Sequence, residues 1–331
     1  MRFFLLLLLF PLISQAQASF TNSKDTLLMG SAFTFTAIHS QDKQSEQAII
    51  AAIEEVVRIE ELISSWRPSS QTSQINKLAG VQTVKVDYEL FQLIERSQKI
   101  AELTNGYFDI SFASIDKLWQ FNGQEMQMPH PKILEESVRL INYLDIHLNQ
   151  EDTTVFLKQK GMKIGFGAIG KGYAADRAKH VMLSYDIENG VVNAGGDILA
   201  WGKKSDGSSW NIGIADPNHK SEIVSSLQIE DQAVVTSGDY ERFVLINGER
   251  FGHIINPKTG IPVQGVLSVT IVSQTAELAD ALATAVFVLG EKDGMDLINH
   301  LNGVEGIILT DKNKLLYSKR ITLNRVDEKS N

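Results

Sequence analysis

Asp280 and Thr284 stand four residues apart in the stretch Ala276 to Leu289, whose apolar pattern predicts a helix. At that spacing the two side chains share one helix face. Ala276, Ala283, Phe287 and Leu289 crowd around them. A carboxylate and a hydroxyl on an apolar face need partners, because unpaired burial is costly. A hard cation with oxygen ligands is one solution, and an Asp that simply serves the first turn of a helix is the plainer one. The run Gly165-Phe166-Gly167-Ala168-Ile169-Gly170-Lys171-Gly172 matches the Rossmann spacing and nearly matches a P-loop. Gly172 stands where a P-loop needs Ser or Thr, and the residues before Gly165 make a weak strand, so neither nucleotide fold is expected. A glycine turn that enters a helix at Lys171 still offers backbone N–H groups and a cation to a phosphate. A plain glycine-rich loop with a solvated lysine is the alternative.

Two further segments carry chemistry. His253 ends a short extended run ahead of Asn256-Pro257-Lys258-Thr259-Gly260, which places an imidazole beside a loop. Thr236-Ser237-Gly238-Asp239-Tyr240 follows a strand and reads as a ligand-binding cluster or as a tight turn.

Composition narrows what these groups can do. The chain of 331 residues contains no cysteine. Thiolate catalysis, cysteine-ligated zinc, iron–sulfur clusters, disulfides and a lipoprotein anchor are therefore excluded. The formal charge is −9 and no long basic run occurs, so nucleic-acid binding is not expected. Arg2, the apolar stretch Phe3–Ile13 and Ala16-Gln17-Ala18 form the pattern of a secretory signal peptide cut before Ser19. The apolar core is well short of the roughly 20 residues of a membrane span, although an uncleaved anchor is the alternative. The mature protein is thus expected to be exported to the periplasm.

The elements that must position these groups alternate between helical and extended. Helices are predicted over Ser45–Ser64, from Asp87 as N-cap to Gly106, and over Ile133–Asn142, Lys171–Leu183, Ala276–Leu289 and Lys292–Leu301. Tyr143–Leu148 and Thr154–Lys158 read as a hairpin, and strands fit Val191–Asn193, Trp210–Ile214, Ala233–Thr236, Arg242–Ile246, Leu267–Val272, Gly306–Leu309 and Leu315–Ser318. The residues after Arg320 form a polar tail. Without a βαβ rhythm, the expected class is α+β with a mixed, largely antiparallel sheet packed by helices, either one large domain over 19–331 or two lobes.

These segments together resemble the ApbE family of FAD:protein FMN transferases. The likeness runs from Met29 to about Gly290 in the family's order. It includes Met29-Gly30-Ser31, Ser65-Trp66-Arg67-Pro68, Thr104-Asn105-Gly106-Tyr107-Phe108-Asp109, the glycine run through Asp176, and Asn193-Ala194-Gly195-Gly196-Asp197. It continues through Thr236–Tyr240, His253–Gly260 and Ala279–Ala285. The resemblance implies an ApbE-like, T-fold-like domain. It implies an FAD site lined by Met29, Trp66, Tyr107, Phe108, Asp109, Gly165, Lys171 and Ile254. It also implies Mg²⁺ held by Asp280, Thr284 and the Ala168 carbonyl. Two positions depart from the family's pattern: Gly165 and Asn256 stand where many members carry Asp. The implied reaction is Mg²⁺-dependent transfer of FMN from FAD to a Thr or Ser hydroxyl of an exported or membrane-anchored acceptor protein of a redox complex, with release of AMP. His253 is the first candidate general base, Asp239 the second, and Lys171 an electrostatic aid. FAD hydrolysis to FMN and AMP, and non-catalytic flavin binding, are the alternatives.

Overall fold

The computed structural model describes residues 19–115, 118–215, 223–239 and 242–322. The signal peptide read in residues 1–18, Tyr240, and the polar tail from 323 onward lie outside the described residues. The fold is α+β and is organised by an eight-stranded antiparallel sheet. In spatial order it runs β1 (Phe20–Leu28), β2 (Ser31–His39), β6 (Asn189–Ala194), β7 (Asp197–Trp201), β10 (Gln232–Gly238), β13 (Val266–Ser273), β14 (Glu305–Thr310) and β15 (Leu315–Tyr317).

The sheet's two faces follow from its alternating side chains. Val192, Leu199, Val235 and Ile271 point into the main core. Their neighbours Val191, Ile198, Val234 and Val272 point the other way, into a smaller cluster with Ile212, Leu227 and Ile229. Those last three belong to the hairpin β8 (Trp210–Ala215) and β9 (Ile223–Ile229), which covers the second face. The main core is closed by α1 (Asp42–Ile63), α5 (Gly170–Ser184) and α6 (Ala276–His300). Helix α1 presents Ala48, Ile49, Ala52, Val56, Ile59 and Ile63 as a buried stripe at helical spacing. Helix α6 breaks at Gly290, whose φ of 81° is open to glycine and strained for other residues. This break matches the two helices expected there.

Smaller elements frame the site. They are α2 (Gln71–Lys77), α3 (Tyr88–Leu103), α4 (Pro131–Val138), and the short sheet of β3 (Val84–Lys85), β5 (Thr154–Leu157) and β4 (Ile146–Asn149). Helix α4 is shorter than the Ile133–Asn142 expectation. It starts at Pro131, suited to a first helical turn, and Asn142 instead caps the next turn by accepting from the Leu144 N–H. The predicted first strand of the hairpin likewise begins at Ile146, because Tyr143–Asp145 form a 3₁₀ turn. A third cluster packs Trp119, Leu134, Ile246 and Phe251 between α4 and the hairpin β11 (Phe243–Ile246) and β12 (Glu249–Gly252).

One end of the large sheet gathers the chemistry. The β1–β2 turn uses Met29 and Gly30 at φ 51° and 73°, the two positive values that a tight antiparallel hairpin demands. The β6–β7 turn, Gly195-Gly196, lies against Ser31: a Cβ on Gly195 would be 2.8 Å from the Ser31 Cβ. Pairing of Gln232 with Ala200 sends the far end of β10, Ser237–Gly238, to this same end. Helices α5 and α6 cross there so closely that a Cβ on Gly172 would sit 2.1 Å from the Ala276 carbonyl oxygen. Gly172→Ala is therefore expected to lower stability by about 2 kcal/mol or more, through forced separation of the two helices. Urea unfolding would check this, and an unchanged midpoint would refute the close crossing.

Candidate functional site

Asp280 lies on the first half of α6, only 5% exposed, and faces the start of α5. Its Oδ2 accepts the Gly172 N–H at 3.0 Å. The carboxylate thus does the work of a helix N-cap, since the capping position, Ile169, has no side-chain acceptor. The expectation of backbone N–H groups free to meet a phosphate at this turn is corrected here: the Gly172 amide is already turned toward the protein's own carboxylate. Asp197, at the start of β7 and 2% exposed, forms an ion pair with Lys171. Burial pushes the Asp280 pKa up, the neighbouring Asp197 charge pushes it further, and Lys171 and the α5 amides oppose both.

Two buried carboxylates therefore share one lysine. Thr284, one turn further along α6, is 3.3 Å from the Ser237 hydroxyl on β10. Among the described residues no three His, Asp or Glu side chains converge as a metal cluster. A cation at Asp280 would draw on hydroxyl and carbonyl oxygens as well. The donor set fits a hard divalent ion: an under-compensated carboxylate, a half-buried hydroxyl, and the turn of Ala168 just ahead of α5.

The residues expected around a flavin fall into two groups. Met29 and Trp66 are brought together through Glu60 of α1. Glu60 accepts the Met29 N–H at 3.0 Å and pairs with Arg67, next to Trp66, at 3.4 Å. The Met29 side chain also reaches the start of α5, near Gly170. Trp66 is 81% exposed, which rules out packing beneath α1 and leaves a large flat side chain available to a ligand. Tyr107 is half-buried with the Lys258 ammonium 5.9 Å from its ring centre. Phe108 and Ile254, by contrast, turn their side chains into the core. Asp109 is spent on the loop: it accepts from the Ser111 N–H (2.8 Å) and hydroxyl (2.6 Å) and the Tyr143 N–H (2.8 Å). Burial pushes its pKa up while those bonds and Lys258 pull the other way. Its carboxylate shapes the Tyr107 loop from behind.

The surroundings of Gly165 and Asn256 suit the residue each position carries. A Cβ on Gly165 would lie 3.0 Å from the Ala113 Cβ, so a larger residue would crowd that wall. Asn256 accepts the Lys258 N–H through Oδ1 at 2.8 Å, a turn role that needs an oxygen and no charge. His253 sits at the end of β12 with its ring edge-on to Phe121, 6.4 Å between centres. Asp239 packs against Gly252, the residue before His253: a Cβ there would be 2.4 Å from the Asp239 Cβ. Burial raises the Asp239 pKa, against the pull of Arg250. The two candidate bases are thus brought to one corner. Glu60 and Asp197 were given no role from sequence, although Asp197 ends the Asn193–Asp197 motif.

With this geometry in view, the family model described as ApbE matches residues 29–308. The chain belongs to the ApbE family. It is 33% identical over 308 residues to the FAD:protein FMN transferase of Treponema pallidum, covering 87% of this chain and 84% of that one. The protein of the same name from Klebsiella pneumoniae is 30% identical over 298 residues, covering 89% and 91%. Among solved structures, the ApbE protein of Thermotoga maritima superposes with a TM-score of 0.84 at 32% identity, covering 90% of this chain and 97% of that one. The Pseudomonas stutzeri flavinyl transferase ApbE shares the fold, with a TM-score of 0.81 at 22% identity over 91% and 95% of the chains.

Asp176 of α5 secures the helix that carries Asp280 by accepting the Ala276 and Glu277 N–H groups at 3.0 and 2.8 Å. Burial pushes its pKa up to about 6. The folded state then binds this proton more tightly than the unfolded state does. Its contribution to stability falls as pH rises from about 4 to 6 and is constant above. Relative to Asp176→Asn, the wild type is expected to lose about 3 kcal/mol across that window. Urea unfolding of both proteins at pH 4 to 7 measures this, and the opposite slope would contradict it.

Proposed function

We propose that this protein is an FAD:protein FMN transferase, which moves FMN from FAD to a Thr or Ser hydroxyl of an exported acceptor protein and releases AMP. The observation that carries this reading is the buried Asp197–Lys171–Asp280 cluster with Thr284 beside it, in a chain of the ApbE family. Export is supported by the N-terminal sequence pattern. Among the described residues no helix is long and apolar enough to cross a membrane.

In this reaction the acceptor oxygen bonds to the FMN-side phosphorus, and the bond from that phosphorus to the AMP oxygen breaks with its electron pair leaving on AMP. His253, on the loop after β12, would take the hydroxyl proton, with Asp239 at the same corner as the second candidate. Asp280, Thr284 and the Ala168 carbonyl would hold Mg²⁺, which supplies charge neutralisation at the pyrophosphate when bound. Lys171, held by Asp197, adds positive charge toward the same oxygens. Met29, Trp66 and Tyr107 offer flat or apolar surface to the flavin and adenine rings.

AMP release from FAD and Mg²⁺, measured with and without an acceptor protein, tests the activity; AMP that appears at the same rate without acceptor would favour simple hydrolysis. Trp66→Ala is expected to leave the unfolding midpoint unchanged and weaken FAD binding about three- to tenfold, as lost ring contact would. Fluorescence titration checks it, and full affinity in the variant would remove Trp66 from the site. Asp280→Ala is expected to lower turnover on the order of a hundredfold or more, because the charged ligand is lost. Thr284→Val should lose less and be partly rescued by excess Mg²⁺. Flavinylation rate against Mg²⁺ concentration measures both, and normal turnover in Asp280→Ala would eliminate this cation site.

A further inference from the structure

Glu60 stands in the last turn of α1, next to Glu61, in a turn that holds no basic residue. The helix dipole disfavours acids at that end, so helix stability does not account for Glu60. Its contacts outside the helix do. Met29, the first central residue of the β1–β2 turn, has φ 51°. Asn, Asp and Gly adopt that left-handed conformation more readily than an apolar side chain does. A two-residue hairpin turn also leaves the amide of its first central residue without a partner inside the hairpin. Glu60 Oε2 accepts this amide at 3.0 Å, a charge-assisted bond to a half-buried residue.

The strained turn places the Met29 side chain where it matters. A Cβ on Gly170 would lie 3.5 Å from Met29 Cε and 2.9 Å from Ile63 Cδ1. Met29 therefore packs beside the end of α1 and against the first residue of α5, next to Lys171. The Trp66 loop abuts the other end of the same glycine run: a Cβ on Gly165 would be 3.7 Å from the Ser65 hydroxyl. Glu60 reaches that loop less firmly. Arg67 lies 3.4 Å from Glu60 and 3.4 Å from Glu61, and its side chain is about half exposed. Such pairs contribute little. The loop backbone is held instead by the Ser64 hydroxyl, which accepts the Trp66 and Arg67 N–H groups at 3.2 and 3.1 Å. The bond to Met29 is thus the stronger arm of Glu60.

We propose that Glu60 is a positioning residue for FAD. It holds the Met29 turn in its left-handed conformation, so that the Met29 side chain stands against the start of α5 as a fixed apolar wall for the ligand. Glu60 acts through Met29, by accepting its amide. The inference rests on the transferase reading, in which Met29 lines the FAD site.

The test measures FAD affinity by fluorescence titration, and urea unfolding alongside, on the full chain. The variants are Glu60→Ala, Glu60→Gln, Met29→Ala and the double variant Glu60→Ala/Met29→Ala. Glu60→Ala is expected to weaken FAD binding about fivefold or more, while Glu60→Gln, whose amide oxygen can accept the same N–H, stays within about twofold of wild type. In the Met29→Ala background, Glu60→Ala should cost less than about twofold further, because the residue it acts through is gone. A carboxylate that merely stabilises the fold would show neither the rescue nor the coupling. Glu60→Leu, which fills the space without an acceptor, takes the place of Glu60→Ala if that variant does not fold. Wild-type affinity in Glu60→Ala would overturn the proposal, as would an equal loss with and without the Met29 side chain. A Glu60→Gln variant as weak as Glu60→Ala would overturn it too, since the charge rather than the accepted bond would then be at work. A wild-type protein that binds no FAD would instead bring down the transferase reading, and this inference with it.

Discussion

The placement of the Asp280 carboxylate against the first turn of α5 is the contact on which the site depends. A buried carboxylate is costly unless donors and positive charge surround it. Here the donors are the N–H groups at the start of a helix, where the dipole also favours a negative group. That arrangement requires α5 and α6 to cross at nearly backbone contact, which in turn requires no side chain at position 172. The same crossing is held one turn away by Asp176, which caps α6 from α5. Each helix therefore supplies the acid that satisfies the other's exposed amides.

Around that crossing, the antiparallel sheet decides what else arrives. Hairpin turns and strand ends collect at one edge of the layer, so Met29, Asp197 and Ser237 come together from segments far apart in the chain. Asp197 brings a second carboxylate and fixes Lys171. Two buried carboxylates, Asp197 and Asp280, thus lie near Lys171 at the start of α5. Glu60 links the Met29 turn to the Trp66 loop, so the placement of both is set by one side chain of α1.

The small lobe built from α4, β11 and β12 is a different kind of structure. Its core is the aromatic pair Trp119 and Phe121 with Leu134, Ile246 and Phe251. It braces the loop from His253 to Gly260, with the Trp119 indole N–H donating to the Gly260 carbonyl.

Much of this was legible in the sequence. The apolar periodicities located α1, α3, α5 and α6, including the break near Gly290, because each helix buries one continuous stripe. The i, i+4 pair Asp280 and Thr284 announced a polar need on an apolar face, and ordered motifs identified the family. Several elements were not legible. Strands β1 and β2 join through Met29-Gly30, a turn without the usual Asn-Gly signature. Strand β12 was read only as the short extended run ending at His253, and its hairpin pairing with β11 was missed despite Asn247-Gly248, the turn pair that does carry that signature. A glycine run that looks like a phosphate loop turned its amide toward Asp280, and Asp109 and Phe108 faced inward. Local sequence sets which residues can form a helix, strand or turn, since periodicity and backbone preference act over a few neighbours. Which carboxylate meets which amide is decided by the packing of distant elements, because one buried charge is stable only where the whole fold brings its partners.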